Sequence, residues 1–383
     1  MGMSAKPMVK LISRLSRYWG RKQLSVTPFI DVSDRIIVDP FGGSGVFTLE
    51  ALGLGRKAVY SDVNPYAWLV AHVSIAGCDV GEFNVKSRAV LSYAHELEGR
   101  VGVSRLRGDR LWYPWGRPFL KRRNYDRVSD FFGRDAFRRL WALKEAVDSV
   151  DASFDTRLSL YLAFSNTLYP SSLMKRCGAG SWGVPSYWAP PRSCPEDPYT
   201  VFERAVARMA RVLSRMPRYK VGYKLEDLGR VDAVLLLNNA LTLRYESEWT
   251  IVTDPPHTDE VQYLELSYFH WAWLKSSKLP EVMKELLGKK PRMRFSAELV
   301  VNLNRGLTLE GYLERLRRFA RRVKSTRRKV IVLHEEDPIV METIIDILRR
   351  EWREIKEEKV EVQGHRSIGP RGGRVYTIIT SPY

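Results

Sequence analysis

The chain has 383 residues, 44% hydrophobic and 28% charged, which is the composition of a globular protein with a sizeable core. No apolar run approaches the roughly 20 residues of a membrane-spanning helix, and Arg14 and Arg17 interrupt the only apolar stretch of the basic start, so no secretory signal is read and a cytoplasmic location is expected. A net charge of +18 favours a polyanionic partner such as a phosphate backbone; a salt-bridged, Arg-rich surface is the other reading.

In chain order, Ile36-Ile37-Val38 reads as a first buried strand and runs into Asp39-Pro40-Phe41-Gly42-Gly43-Ser44-Gly45. A helix is expected from Val46 to Leu54. Lys57-Ala58-Val59-Tyr60 is a second strand, ending at Ser61-Asp62, and Pro65 opens a second helix that runs to Ala76. Between about Gly81 and Gly229 no clear strand is visible. Helical patterns cover Phe131–Val150, Thr156–Leu168 and Tyr199–Leu213, and a loop rich in Trp, Tyr, Gly and Pro spans Gly178 to Pro198. Strands resume at Ala233–Leu237 and Trp249–Val252, and the latter runs into Asp254-Pro255-Pro256-His257. Helices are expected over Glu260–Lys275, Leu309–Val323 and Ile339–Trp352, with the strand Val330–Leu333 between the last two. Lys359–Val362 and Val375–Ile379 read as a closing hairpin.

Alternating strands and helices argue for a mostly parallel α/β sheet covered on both faces. Residues 1–80 and 229–383 are read as two halves of one sheet domain. Residues 81–228 are read as a largely helical insertion over its functional edge, suited to target recognition. Cys78, Cys177 and Cys194 form no CxxC pair and have no zinc-like spacing, so no metal is expected; all three are read as reduced thiols, with a Cys177–Cys194 disulfide as the alternative that a cytosolic location disfavours. The basic residues cluster in two runs. Arg204, Arg208, Arg211 and Arg215 share one helix face, followed by Arg218 and Lys220. The second run is Arg315, Arg317, Arg318, Arg321, Arg322, Lys324, Arg327, Arg328 and Lys329.

The glycine segment stands where an open parallel sheet binds ligands, at the carboxyl end of a strand. Its three glycines permit a tight turn and close backbone approach. No Gly-Lys-Ser/Thr follows, which excludes a P-loop, and the dinucleotide pattern fits poorly. Asp62 closes the next strand, where a carboxylate can accept both hydroxyls of a ribose.

The run from Asp39 through Gly45 to Asp62-Val63-Asn64-Pro65 resembles the S-adenosylmethionine (SAM) half of the DNA amino-methyltransferases, in which the segments read DPF-x-GSG and acidic-x-N-P. The resemblance implies a Rossmann-like SAM-dependent fold with a closing antiparallel hairpin. It implies that Asp39, Phe41, Gly43 and Gly45 surround the methionine part of SAM, with Asp62 on the ribose and Asn64 beside it. Asn239, in Asn238-Asn239-Ala240-Leu241, takes the place of the family's adenine-binding Asp; the alternative for it is a turn residue. Lys6-Pro7 resembles the family's Lys-Pro before the first strand.

Asp254-Pro255-Pro256-His257 resembles the family's (D/N/S)PP(Y/F/W) signature. An exocyclic base amine is a poor nucleophile because its lone pair is delocalised. Asp254 and the Pro255 carbonyl can each accept one amino hydrogen and so favour the pyramidal amine. The paired prolines stiffen the loop. His257 replaces the aromatic residue that stacks on an extruded base. The helix after it (Tyr263-Leu264-Glu265-Leu266-Ser267), Glu298-Leu299-Val300-Val301-Asn302, Asp130-Phe131-Phe132 and Tyr187-Trp188-Ala189-Pro190-Pro191 resemble a group of adenine-specific DNA methylases. The implied activity is methylation of adenine N6, or cytosine N4, in DNA. An RNA amino-methyltransferase and a non-catalytic nucleic-acid-binding protein remain open alternatives. Trp112, Tyr113 and Trp115 are expected in the core; Trp182, Tyr187 and Trp188 are read as core or base-stacking residues alike.

Overall fold

A computed structural model describes residues 11–16, 18–19, 24–100, 109, 125–178, 187, 189–258, 261–362 and 374–382. Lys6-Pro7, Trp112, Tyr113, Trp115, Trp182, Trp188 and Glu260 lie outside them.

The elements are β1 (Ile36–Asp39), α1 (Val46–Gly53), β2 (Lys57–Asp62), α2 (Pro65–Ile75), α3 (Val80–Leu97), α4 (Arg134–Ser149), α5 (Phe154–Leu168), α6 (Pro198–Leu213), β3 (Val221–Gly222), β4 (Ala233–Leu237), β5 (Thr250–Thr253), α7 (Tyr263–Leu274), α8 (Leu279–Leu287), α9 (Leu309–Arg322), β6 (Arg328–Leu333), α10 (Pro338–Glu351), β7 (Lys356–Val362) and β8 (Arg374–Ser381). One eight-stranded sheet runs β3-β4-β2-β1-β5-β6-β8-β7. The pairs from β3 to β6 are parallel, and β8 runs antiparallel to both β6 and β7. The expected closing hairpin is therefore present, and it begins three residues earlier than Lys359.

The central strands are short, continuous apolar runs because both of their faces are buried. Side chains alternate between two cores. Ile37, Ala58, Val252 and Val330 join one core, with α1, α2 and α7. Val38, Val59, Ile251 and Ile331 join the other, with Tyr312, Leu316 and Phe319 of α9 and Ile344, Ile345 and Leu348 of α10. The spacing of Tyr312, Leu316, Phe319 and Ala320 places them along one side of α9. Its start is fixed by Thr308, whose side chain accepts from Gly311 N.

The insertion is helical, as its patterning predicts, but α3 extends it by a helix that weak periodicity hid. It packs against α2 and α7, and its Leu140, Leu143, Leu158 and Leu162 continue the core of the sheet's first face. The stretch read as strandless contains β3, two residues that extend the sheet edge beside β4. Asp197 caps α6, and that helix buries Val201, Phe202, Ala205 and Met209. Arg204, Arg208 and Arg211 take its exposed side, as the spacing predicts.

The reading of three reduced cysteines fails for two. Cys177 and Cys194 form a disulfide. The chain folds back between them, with an Arg176–Ser193 bridge and Cys194 N donating to Lys175 O at 2.9 Å, which brings the two side chains together. Cys78 is buried and reduced. No helix among the described residues is long and apolar enough to cross a membrane.

Candidate active site

The chain crosses from β4 to β5 over β2 and β1, so the direction of winding reverses between β1 and β5. A crevice opens there, at the carboxyl ends of the strands. A pocket occupies it, lined in part by residues at the ends of β1, β2, β4 and β5.

The glycine loop leaves β1 in a tight turn. Gly42 N donates to Ser61 O at 2.9 Å, and a Cβ on Gly42 would lie 2.2 Å from the Tyr60 ring. Tyr60 in turn donates its hydroxyl to Gly43 O at 2.8 Å. Gly45 caps α1 at φ 83°, and a Cβ there would meet Ala71 and Ile75 of α2 at 3.2 and 3.3 Å. Gly43 and Phe41 line the cavity; Gly45 instead lets α2 approach the loop. The loop spends its own donors. Gly42 N goes to Ser61 O, Gly43 N to Asp62 Oδ2 at 2.8 Å, and Gly45 N to Gly42 O at 2.9 Å.

Asp39 does not line the cavity. It is buried, and its Oδ1 accepts from Thr253 Oγ1 at 2.6 Å and from Phe41 N at 3.3 Å. Its role is to join the ends of β1 and β5. Asp62 does line the cavity, held by Gly43 N and by Asn64 N at 2.8 Å. Asn64 caps α2 through Tyr66 N and donates Nδ2 to Ser267 Oγ at 2.7 Å, which ties β2's end to α7. Asn239 also lines the cavity. Its Oδ1 accepts from Leu241 N at 2.8 Å in a local turn, leaving Nδ2 as the side chain's group for a ligand. Asn239 thus makes a turn and also faces the cavity.

Asp254 and Pro256 line the same cavity from the end of β5. Pro256 O accepts the Tyr312 hydroxyl at 3.0 Å, so α9 fixes the direction of this loop. Pro255 O receives no such bond among the described residues. His257 is set to one side. It does not line the cavity; its Nε2 lies 3.6 Å from Asp254 Oδ1, and its ring meets His334 edge-on at 5.5 Å. Tyr187, read as core or stacking, is fully buried and donates its hydroxyl to Glu265 O, which settles it as core.

Three lining residues escape local sequence reasoning as site residues: Tyr18, Tyr263 and Glu298. Tyr18 and Tyr263 stack at 6.2 Å with an interplanar angle of 21°. Glu298 is buried, and its Oε1 accepts from Leu264 N at 2.9 Å. Burial, reinforced by the charges of Glu265 and Asp62, pushes its pKa up to about 8. Beneath it, Glu265 accepts from Arg305 and from Asn302 Nδ2 at 3.1 Å, and Arg305 lies 4.0 Å above the Phe295 ring. This buried network holds the segment that carries Glu298 against α7.

The sign of the cavity's charge follows from its lining. Asp62 and Asp254 face it together with Glu298, whose charge burial suppresses below about pH 8, and no Lys, Arg or His does among the described residues. In a chain of net charge +18, the crevice is acidic. Among the described residues, no group of His, Cys, Asp and Glu could hold a metal ion.

Much of the second basic run is engaged in structural bonds, while Arg318 and Lys324 stay exposed. Arg315 donates to Glu298 O, Arg322 to Leu243 O, and Arg328 to Asp34 and Phe29 O. Arg317 pairs with Glu314 and Arg321 with Glu351. Lys329 is buried 6.0 Å from the Trp352 ring, and burial lowers its pKa to about 8. These residues brace α9 and β6. Comparison with models of known families, with curated proteins and with solved structures finds no match.

Proposed function

We propose that the protein is a SAM-dependent methyltransferase acting on an exocyclic amino group of a nucleic-acid base. The observation that carries this reading is the acidic cavity at the switch point, lined by Asp254 and Pro256 of the Asp254-Pro255-Pro256 segment. The several charges of a polyphosphate would meet Asp62 and Asp254 there, with one helix end, the first turn of α1, to offset them. The three glycine N–H groups just described are already used, and the described lining has no cation. SAM has no phosphate and carries two positive centres, sulfonium and ammonium. It suits carboxylates and aromatic rings. The first turn of α1, behind Ser44, offers a positive dipole end to its carboxylate. The closing antiparallel hairpin supports the same class.

When bound, the cofactor supplies an electrophilic methyl group. The chain's own residues prepare the acceptor. Asp254 accepts one hydrogen of the base amine, and Pro255 O takes the other. Tyr312 holds the loop so that these acceptors keep their angle. The lone pair is then exposed toward the methyl carbon, and the excess proton leaves toward Asp254 and the neighbouring His257. His257 acts on Asp254 in this arrangement rather than as a stacking platform. The likeness to adenine-specific methylases favours adenine in DNA. On α6, Arg204 pairs with Glu196, while Arg208 and Arg211 bond backbone carbonyls and keep exposed charge suited to a phosphate backbone.

The test is incubation with methyl-labelled SAM and DNA, transfer RNA or ribosomal RNA, followed by digestion and identification of the modified nucleoside. Label in an amino-methylated base of DNA, lost in Asp254→Ala, is the expected result. Label only in RNA would move the activity to the other polymer. SAM binding with no transfer to any polymer would favour the binding-protein alternative, and undiminished transfer by Asp254→Ala would sink the assignment of the segment.

A further inference from the structure

Asp62 and Asp254 have roles in the proposed site, and Glu298 has none. We propose that Glu298 is the carboxylate that receives the α-ammonium group at the methionine end of SAM, an assignment that rests on the methyltransferase reading. The other two acids suit neutral partners. Asp62 already accepts Gly43 N and Asn64 N, which leaves it a hydrogen-bond acceptor suited to ribose hydroxyls. Asp254 stands beside His257 at the catalytic loop, where the base amine belongs.

Glu298 has the surroundings of a cation site. It lines the cavity together with the stacked rings of Tyr18 and Tyr263, so a cation there meets a carboxylate beside two aromatic rings. Leu264 N fixes Oε1, leaving Oε2 for the cavity. The backbone is pinned as well: Arg315 Nη1 donates to Glu298 O at 2.9 Å from α9. The charged and titratable groups around it are Asp62 from β2, Glu265 from α7, Arg305 from the following loop, and the Tyr18 phenol. Arg305 is bonded to Glu265, so it does not neutralise Glu298 directly. Burial keeps the empty site's acid protonated up to about pH 8. An arriving ammonium group stabilises the anion and displaces that proton to solvent. Below about pH 8, cofactor binding therefore releases a proton, and affinity rises with pH.

Calorimetry of the full chain with three ligands separates this role from others. SAM and S-adenosylhomocysteine both carry the ammonium group; 5′-methylthioadenosine lacks the whole amino-acid end. Glu298→Gln keeps an acceptor for Leu264 N, and unchanged thermal melting checks the fold. The variant should bind SAM and S-adenosylhomocysteine roughly tenfold more weakly, as expected for a lost charge-assisted bond, and methylthioadenosine within about twofold of wild type. The rise of SAM affinity with pH and the buffer-dependent heat of proton release should disappear. Equal weakening for all three ligands, or undiminished SAM binding with its pH dependence intact, would overturn the assignment. Failure of wild-type protein to bind SAM would instead overturn the reading beneath it.

Discussion

Thr253 donates its hydroxyl to Asp39 Oδ1 at 2.6 Å, joining the carboxyl ends of β1 and β5 across the switch point. The glycine loop and the Asp254 loop start one residue after each partner, so this buried bond extends the β1–β5 ladder and braces the two halves of the site against each other. Both residues are buried, so the bond has no competing water.

Thr253→Val keeps the shape and removes the donor. A buried carboxylate oxygen of Asp39 would then lose a donor, at a cost of about 1–3 kcal/mol. Chemical denaturation should show that loss, with an unchanged dependence on denaturant. Methyl transfer should fall by more than SAM affinity does, because the two loops separate. A stability equal to wild type would show that the bond does not brace the crevice.

Gly42 has no room for a methyl group, because the Tyr60 ring would lie 2.2 Å away. Gly42→Ala must push Tyr60 off Gly43 O and with it the wall of the cavity. A loss of about 1–3 kcal/mol is expected from such overpacking, with weakened SAM binding. Tyr60→Phe, which removes only the hydroxyl bond, should cost about 1 kcal/mol. Equal effects of the two variants on binding would contradict the steric argument.

Arg305→Ala leaves Glu265 as a buried acid without its guanidinium, and about 3–5 kcal/mol is expected at neutral pH. Burial already raises the pKa of Glu265, and Arg305 opposes that rise. Without Arg305 the folded pKa climbs further above the unfolded one. The unfolded chain then ionises first as pH rises, so the destabilisation grows from acid toward neutral pH. Urea midpoints of wild type and variant should therefore converge near pH 4 and diverge near pH 7; parallel curves would show that the pair carries no charge-dependent stability.

The disulfide makes a simple count. Denatured, unreduced protein should react with one equivalent of thiol reagent, from Cys78, and fully reduced protein with three. In the native state Cys78 should react slowly, since burial pushes its pKa up to about 11. Three reactive thiols before reduction would exclude the Cys177–Cys194 bond.

What local rules govern was legible in the sequence. Apolar runs ending in Asp-Pro mark the ends of β1 and β5, and Asp62 closes β2 where the register requires it. Side-chain direction was not legible. Asp39 reads like a cofactor ligand, yet it turns to Thr253, whose strand is more than two hundred residues away. Gly45 reads alike, yet its freedom serves the approach of α2. Tyr18, Tyr263 and Glu298 come from three separate segments, and only packing brings them to one wall. The basic run of α9 and β6 looks like a polyanion surface until the carbonyls and carboxylates that occupy much of it are in view.

The central claim is that the acidic crevice takes a phosphate-free cationic cofactor. Calorimetric titration of the wild-type protein with SAM, ATP and NAD, repeated on Asp62→Ala, tests it most directly. SAM should bind with a dissociation constant at least about a hundredfold below those of ATP and NAD, and Asp62→Ala should weaken SAM by roughly tenfold or more through the lost ribose contact. Binding of ATP or NAD as tight as that of SAM, or SAM binding indifferent to Asp62→Ala, would contradict the account.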